Sequence, residues 1–387
     1  MMAPLLSCQK NKFSLSEDVH YLNCAYMSPL ARSVEEAGLK GLRRKRNPQD
    51  ITPSMFFDEA AELRKLFATL VGVSPTHVAL IPAASYGIAT VARNVPVLGS
   101  QNIVVLHEQF PSNIYSWRRL SRDTQAELRV VPPPLGPGRG HEWNTRILEA
   151  IDADTAIVAI SAVHWTDGTR FDVQSIGERA RDCGAALVVD GTQSVGALPF
   201  DASSLGVDAL ICAAYKWLLG PYSIGAMYLG PRFSDGVPLE ENWIGRLHSE
   251  RFGELVQYQK AYQPGAIRYD VGERSNFVLV PMMIAALKQV LGWGPDAIQT
   301  YCAALTRDLL REAIALGYRV EEESLRSAHL FGLRAPPHVP MDRLRGELAR
   351  RVISVSVRGD AIRIAPHVYN NAADVDALRE ALHAAAS

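Results

Sequence analysis

Short apolar segments alternate with amphipathic stretches through the first 230 residues of the chain. The apolar segments are nearly continuous in Val, Ile, Leu and Ala, which is typical of strands buried on both faces of a sheet. The stretches between them have helical periodicity, and Gly184 is expected to end the one at 173–184. This alternation predicts an α/β fold with a mostly parallel, doubly wound sheet and helices on both faces. The predicted strands are 77–83, 102–108, 127–133, 155–163, 185–191, 209–214 and 224–230.

The pattern changes after about residue 255. Two longer segments have the periodicity of helices. Two alternating segments within 352–366 surround Gly359 and Asp360, which is a hairpin signal, and Asn371 is a suitable N-cap for a last helix. These features are typical of a small α+β domain. The two longer helices are expected at 281–293 and 298–317.

The length of 387 residues allows one large domain and one smaller domain. We expect a large domain at 31–255, a small domain at 256–387 and an N-terminal segment at 1–30. The net charge of −1 gives no general attraction to nucleic acid or to an anionic membrane. No apolar run approaches the roughly 20 residues that span a bilayer, and five scattered cysteines without a CxxC pair indicate a reducing compartment. We therefore expect a soluble, cytoplasmic protein.

Two ionisable side chains follow neighbouring apolar segments. Asp190 ends one predicted strand, and Lys216 follows the next. A buried carboxylate is costly unless it has a partner, although Asp190 could simply cap the turn that begins at Gly191. The carboxyl ends of parallel strands meet at one edge of a sheet, so both groups are expected there together with the strand-to-helix turn at 82–87. Backbone N–H groups at the start of such a helix suit a phosphate.

A lysine, a carboxylate and an anion site together fit pyridoxal phosphate. Lys216 would form a Schiff base with the aldehyde, be displaced by the substrate amine, and then move the α-proton as general base and acid. Asp190 would keep the ring nitrogen protonated. A nicotinamide cofactor is not expected because no GxGxxG follows the first strand. Ten histidines without an HxxxH-like pair predict no metal site.

The segments "VVDGTQ" and "AAYKW", within residues 188–230, resemble the central signature of the class-V aminotransferases, which are fold-type-I pyridoxal-phosphate enzymes. The resemblance extends from about residue 21 to residue 382, nearly the whole chain. The family includes cysteine desulfurases, selenocysteine lyases, kynureninases and isopenicillin N epimerases. The resemblance implies the fold-type-I transferase fold, pyridoxal 5'-phosphate as cofactor, a small amino acid as substrate and a homodimer with shared active sites.

By this resemblance, Lys216 carries the cofactor, Asp190 pairs with the pyridine nitrogen and Gln193 hydrogen-bonds the phenolic oxygen. Tyr215 is expected to reach the phosphate. From the residues alone, Phe110 could equally be a core aromatic. The other implied cofactor contacts are Ala84 and Ser85 at the phosphate, Phe110 stacked on the ring, and Trp165 lining the pocket.

Arg363 matches the arginine that binds the substrate α-carboxylate in the family, a task that a two-pronged guanidinium suits. An exposed hairpin charge is the alternative interpretation, and Arg358 is the competing arginine. Segment 269–277 resembles the segment that the family lends across the dimer to the neighbouring phosphate, here through Arg274 and Ser275. The residues implied at the substrate mouth, in the N-terminal segment, are Asn23, Ala25 and Tyr26.

One departure from the family pattern narrows the predicted activity. Cysteine desulfurases carry a mobile-loop cysteine shortly before the carboxylate-binding arginine, whereas residues 349–366 contain no cysteine. Persulfide formation needs a positioned thiolate, and Cys24 near the mouth is the remaining candidate. We therefore predict an aminotransferase or a lyase that cleaves a C–S or C–C bond of the side chain, not a persulfide-forming desulfurase. An amino-acid epimerase and a non-catalytic, cofactor-binding regulatory protein are the alternatives.

Overall fold

The computed structural model describes residues 6–136, 138–358 and 361–387. Its strands are β1 (His20–Tyr21), β2 (Val78–Ile81), β3 (Asn102–Leu106), β4 (Glu127–Val131), β5 (Thr155–Ser161), β6 (Ala186–Asp190), β7 (Ala209–Ala213), β8 (Gly225–Leu229), β9 (Phe331–Arg334), β10 (Ile353–Ser354), β11 (Ser356–Arg358) and β12 (Ala361–Ile364). Its α-helices are α1 (Arg32–Arg43), α2 (Asp58–Val71), α3 (Ala84–Asn94), α4 (Tyr115–Thr124), α5 (Arg139–Ala150), α6 (Val173–Asp182), α7 (Leu279–Trp293), α8 (Pro295–Ala315), α9 (Met341–Arg350) and α10 (Ala372–Ala386).

The central sheet has seven strands in the order β2-β8-β7-β6-β5-β3-β4. The run from β4 to β7 is parallel, which confirms the prediction, whereas β8 is antiparallel to both of its neighbours, β7 and β2. Because β8 returns directly beside β7, the chain that joins them stays at one edge of the sheet. β2 runs in the same direction as β7, so the residues that follow β2, β6 and β7 share that edge.

Most strands of the central sheet are buried along their whole length, as their apolar sequences predicted. Every residue of β3, β5, β6, β7 and β8 is buried. β4 differs, because it is an edge strand in which Glu127 is exposed and Val131 is buried. Arg129 of the same strand turns to an ion pair with Asp152 at 2.7 Å. The apolar residues of this segment therefore did not indicate that it is an edge strand.

A second sheet, near the C-terminus, is antiparallel with the order β11-β12-β9. β11 and β12 pair as the predicted hairpin strands, although the predicted turn residues, Gly359 and Asp360, lie outside the described residues. Asn371 caps α10: its side chain accepts from the backbone N–H of Asp374, whose carboxylate accepts from the N–H of Asn371. The capping interaction predicted from the sequence is therefore confirmed.

The long helices divide their contacts between the two sheets. α7 packs against α1 and α2, and its side chains Val280, Met283, Ile284 and Leu287 belong to the core of the central sheet. α8 packs against α10, and Leu309 and Leu310 join the core beside the C-terminal sheet. The domain boundary between residues 255 and 256 stays a prediction. Within the described residues, no helix has both the length and the apolar character that crossing a membrane requires.

Candidate active site

The strand ends bring the predicted chemistry to one place. Asp190 is the last residue of β6 and pairs in register with Ser161 of β5 and Ile211 of β7. Lys216 follows β7 at the same edge, and Ala84 begins α3 just after β2. A cavity of about 270 Å³ lies at this edge. Among its lining residues are eight of the predicted cofactor contacts: Ala84, Ser85, Phe110, Trp165, Asp190, Gln193, Tyr215 and Lys216.

Lys216 is a buried amine, 6% exposed. Its Nζ lies 5.2 Å from the ring centroid of Phe110 and 5.4 Å from that of Tyr215. Burial lowers the pKa of Lys216 from 10.5 to about 8; the positive charge of Arg363 adds to this effect, and the Asp190 carboxylate opposes it. A lysine with this pKa is partly neutral near pH 8 and can act as a nucleophile and a base.

Asp190 is a buried carboxylate, and burial raises its pKa above the ordinary value. Hydrogen bonds from Thr192 and the charge of Lys216 offset part of this cost, and the backbone N–H of Thr192 donates to Asp190 Oδ1 at 3.0 Å. A carboxylate in this position gains most from a cationic N–H placed beside it in the cavity. The protonated nitrogen of a pyridine ring is such a group.

The orientation of the Gln193 amide follows from its neighbours. The indole Nε1–H of Trp217 donates to Gln193 Oε1 at 2.9 Å, and an indole N–H can only donate, so the amide oxygen must face it. Gln193 Nε2 donates to the backbone oxygen of Ala25 at 3.1 Å. One N–H of the amide is left for the cavity that Gln193 lines. Gln193 can therefore offer an N–H donor to a bound molecule.

The first turn of α3 forms another wall of the cavity. Ala84 and Ser85 lie at the N-terminus of this helix, where backbone N–H groups lack partners within the helix. Such N–H groups, with the positive end of the helix dipole, favour a phosphate. The Tyr215 and Tyr222 rings, 4.7 Å apart, line the same cavity.

Arg363 is 1% exposed, so the alternative interpretation of an exposed hairpin charge is wrong. Its Nη1 donates to the backbone oxygen of Trp165 at 2.7 Å and its Nη2 to Ser356 Oγ at 3.2 Å. Its Nε has no hydrogen-bond partner among the residues that the structure describes. Arg363 is not among the residues that line the cavity, but it is hydrogen-bonded to the backbone of Trp165, which is one of them.

Of the predicted mouth residues, Asn23 lies near Arg363, whereas the backbone of Ala25 contacts the cavity residue Gln193. Asn23 is buried, pairs with Ala365 in an isolated bridge, and accepts a hydrogen bond from Ser356 Oγ at 2.9 Å. Ala25 is buried and Tyr26 is 61% exposed. The N-terminal segment thus packs beside the strand that carries the arginine.

Arg274 and Ser275 are not brought to the cavity of their own chain. Arg274 is buried and its Nη1 lies 2.5 Å from Asp270 Oδ2, an oxygen that Arg64 also contacts. Ser275 Oγ donates to the backbone oxygen of Phe56. Their predicted contact with a neighbouring subunit's phosphate stays a prediction.

Several cavity residues were missed by the sequence reasoning. Ser161 Oγ and Gln109 Nε2 are buried without a hydrogen-bond partner and therefore await one from a bound molecule. Ser161 could have been predicted from the sequence, because it ends strand β5 at the same edge of the sheet as Asp190. The missed lining residues include Gln109, Ser112, Ser161, Thr192, Tyr222 and Ser223.

Comparison with known proteins agrees with this geometry. A model of the family "Aminotransferase class-V" matches residues 50–240. YcbU, an uncharacterised aminotransferase of Bacillus subtilis (strain 168), is 26% identical over 79% of this chain and 78% of its own. Isopenicillin N epimerase of Streptomyces clavuligerus is 24% identical over 97% of each chain. The apo structure of a cysteine desulfurase from Thermococcus onnurineus NA1 shares the fold, with 19% identity, a TM-score of 0.82, and coverage of 96% of this chain and 95% of its own.

The cavity fits pyridoxal phosphate, the cofactor of that family. A buried lysine, a buried carboxylate and a helix N-terminus meet at one edge of the sheet, and buried polar atoms of Ser161 and Gln109 still lack partners. Each of these groups complements a different part of the cofactor. Residues 50–240 therefore belong to the class-V aminotransferase family of pyridoxal-phosphate enzymes.

Proposed function

We propose that the protein is a pyridoxal-phosphate enzyme that converts an α-amino acid, either as an aminotransferase or as a lyase that cleaves the substrate side chain. The observation that carries this proposal is the buried Lys216, with its pKa lowered to about 8, in one cavity with the buried Asp190. When bound, the cofactor supplies an electron sink for the bonds at the substrate Cα. The protein supplies the base, the counter-charge and the substrate contacts.

Lys216 holds the cofactor and then serves as the base that removes the proton from the substrate Cα. A pKa of about 8 leaves a useful fraction of the amine neutral near pH 7.5 while keeping its basicity. Asp190 keeps a proton on the ring nitrogen, because a buried carboxylate without a cationic partner would be costly. The remaining Gln193 N–H donates to the phenolic oxygen, and Ala84 and Ser85 hold the phosphate.

Arg363 binds the α-carboxylate of the substrate. Its unpartnered Nε is a free donor, and burial increases the strength of a charge-assisted hydrogen bond. The hydrogen bond from Arg363 Nη1 to the backbone of Trp165 holds the guanidinium next to a residue that lines the cavity.

The cysteines do not favour a desulfurase. Cys24 is fully buried, its Sγ–H donates to the backbone oxygen of Lys216 at 3.8 Å, and burial raises its pKa to about 12. A thiol with this pKa is almost entirely protonated at neutral pH and is a poor nucleophile. No cysteine is among the residues described as lining the cavity. These observations support an activity without a persulfide on the enzyme.

Epimerisation is the second candidate, because isopenicillin N epimerase matches nearly the full length of the chain. The described lining of the cavity contains Asp190, Tyr215, Lys216 and Tyr222 as its titratable side chains. Lys216 is the only amine among them, so inversion at Cα would need a tyrosine or water to return the proton to the opposite face. Because of this additional requirement, we favour transamination or elimination over epimerisation.

The experiment is to offer the purified holoenzyme a panel of amino acids and to follow three products. A keto acid with aminated cofactor identifies an aminotransferase, a fragment of the side chain identifies a lyase, and an inverted Cα identifies an epimerase. Borohydride reduction should attach the cofactor to the peptide that contains Lys216. Attachment to another lysine, or a holoenzyme inert towards every amino acid, would refute the proposal.

We also propose a homodimer in a reducing compartment such as the cytoplasm. The family resemblance supports the dimer, and five free cysteines support the compartment. If Arg274 or Ser275 serves the neighbouring site, a Lys216→Ala chain mixed with an Arg274→Met chain should regain part of the activity. A fully active monomer, observed by sedimentation, would exclude shared sites.

A further inference from the structure

Two arginines share one face of the C-terminal hairpin. In the register of β11 and β12, Ser356 lies opposite Arg363 and Arg358 lies opposite Ala361. Because side chains alternate along a strand, and directly opposed residues point to the same face, Arg358 and Arg363 lie on the same face as Ser356. They are diagonal neighbours, a relation in which Cα atoms are about 7–8 Å apart.

This face points towards the active site. Trp165 lines the cavity, and its backbone oxygen accepts from Arg363 Nη1. The Cζ of Arg358 lies 5.2 Å from the centroid of the Trp165 ring. The positive charges of Arg363 and Arg358 both contribute to the lowered pKa of Lys216. Both guanidiniums are therefore neighbours of the reacting centre.

Neither guanidinium has a carboxylate partner within the described residues. Arg358 Nη1 donates to the backbone oxygen of Val357 at 2.8 Å, and its Nε is buried without a partner, as is the Nε of Arg363. The other buried arginines of the described residues each have an ion-pair partner: Arg64 and Arg274 both contact Asp270.

Two unpaired like charges on one half-buried face repel each other and lose hydration, which is unfavourable unless anions bind there. Of the acidic side chains, Asp190 is the one that lines the cavity, and the cofactor nitrogen is its natural partner. Among the described residues, the face thus has two positive charges and no acidic side chain paired with either of them. The missing negative charges are best supplied by the substrate.

We propose that the substrate is an α-amino acid whose side chain carries a second anionic group, and that Arg358 binds this group while Arg363 binds the α-carboxylate. The inference rests on the proposed function, because it assigns the substrate class of the same site. The diagonal separation of the two arginines fits two carboxylates joined by a short aliphatic chain, as in aspartate, glutamate or 2-aminoadipate. An amide of the same shape lacks the second charge and should bind weakly.

The first test measures binding to the holoenzyme without any need for turnover. Succinate, glutarate and adipate are compared with butyrate, valerate and hexanoate, the monocarboxylates of matching length, by calorimetry and by the change in the absorption of the bound cofactor. We expect the best dicarboxylate to bind about 10- to 100-fold more tightly than its matched monocarboxylate, which is the usual contribution of one charge-assisted pair. Equal affinities for the two series would overturn the inference.

The second test uses substitutions. Arg358→Met keeps much of the contact with Trp165 but removes the charge, and it should reduce the dicarboxylate preference to nearly one. Arg358→Lys should restore part of that preference. The control is Arg345→Gln, which removes an exposed arginine of α9 paired with Asp342 and should leave the preference unchanged. A preference retained in Arg358→Met would exclude Arg358 as the binding group.

The acid-to-amide ratio of kcat/KM, measured with glutamate against glutamine and aspartate against asparagine, separates two kinds of failure. A holoenzyme that carries its cofactor on Lys216 and converts amides as well as acids would contradict the inference and leave the proposed function standing. A protein whose cofactor is not attached to Lys216 would contradict the proposed function itself.

Discussion

Replacement of Lys216 by methionine should stabilise the cofactor-free protein at neutral pH and deprive it of turnover. Methionine keeps most of the length of the side chain and removes the amine. The fold lowers the pKa of Lys216 from 10.5 to about 8. At about 1.4 kcal/mol for each pKa unit, the protonated amine costs the cofactor-free fold about 3 kcal/mol. Lys216 also stabilises the Asp190 carboxylate, so the net gain of the variant at pH 7 should be about 1–3 kcal/mol.

The pH dependence of this gain has a definite sign. The native state binds the Lys216 proton less tightly than the unfolded chain does. The cost is therefore complete below pH 8, decreases as the pH rises from about 8 towards 10.5, and is absent above that range. The stability of the wild-type protein should approach that of the variant over the same interval.

Urea unfolding of cofactor-free Lys216→Met and wild-type protein, followed by circular dichroism at pH 7 and pH 10, measures the difference. The gap in the free energy of unfolding should fall below about 1 kcal/mol at pH 10. Lys65→Met, which removes an exposed lysine, is the control and should show no comparable change with pH. A gap that is independent of pH, or a variant less stable than the wild type at pH 7, would refute a buried amine with a lowered pKa.

The other substitutions concern the bound cofactor and the substrate. Asp190→Asn should keep the fold and lower kcat by about 10² to 10³, because an amide cannot hold the ring nitrogen protonated; a rate near that of the wild type would leave Asp190 with a turn-capping role. Arg363→Ala should raise KM by roughly 30-fold or more without changing the spectrum of the bound cofactor, and Arg363→Lys should recover little of the lost affinity. An unchanged KM would show that another group binds the α-carboxylate. Cys24→Ala should remain fully active, and a persulfide trapped on Cys24 after incubation with cysteine would restore the desulfurase interpretation. Trp217→Phe removes the hydrogen bond that orients the Gln193 amide, so the absorption maximum of the bound cofactor should shift and kcat should fall about fivefold. If neither quantity changes, Trp217 has only a packing role.

The sequence predicted the sheet well because its buried strands are almost uninterrupted apolar segments. The same argument placed Asp190 and Lys216 together, since both follow strands whose ends meet at one edge. The reversed direction of β8 was not predictable in this way, because an apolar segment has no preferred direction. Direction is decided by the connection, and the 214–224 segment contains no crossover helix.

The site was harder to predict where an ordinary residue acquires its role through a distant contact. The strand alternation around Arg363 left open whether this side chain is exposed, and its burial depends on contacts with Ser356 and Trp165, which are distant in sequence or on another strand. Ser161 ends β5 and Gln109 lies in the loop after β3, and the sequence does not show that the hydrogen-bonding atoms of such common polar residues lack partners among the described residues. The sequence therefore identified ionisable residues at or just after the end of a buried strand, such as Asp190 and Lys216. It did not identify ordinary polar residues whose role depends on which atoms surround them in the fold.

The groups proposed to hold the cofactor and those proposed to recognise the substrate are built on different sheets. Asp190 and Lys216 follow strands of the central sheet, whereas Arg358 and Arg363 stand on a short hairpin near the C-terminus. Evolution can therefore revise the choice of substrate by changing a few hairpin residues, without disturbing the positions on which the shared chemistry depends. A relative with this arrangement could acquire a different substrate by the same kind of local change in its hairpin. An engineer who wished to retarget the enzyme would begin at the hairpin and leave the sheet untouched.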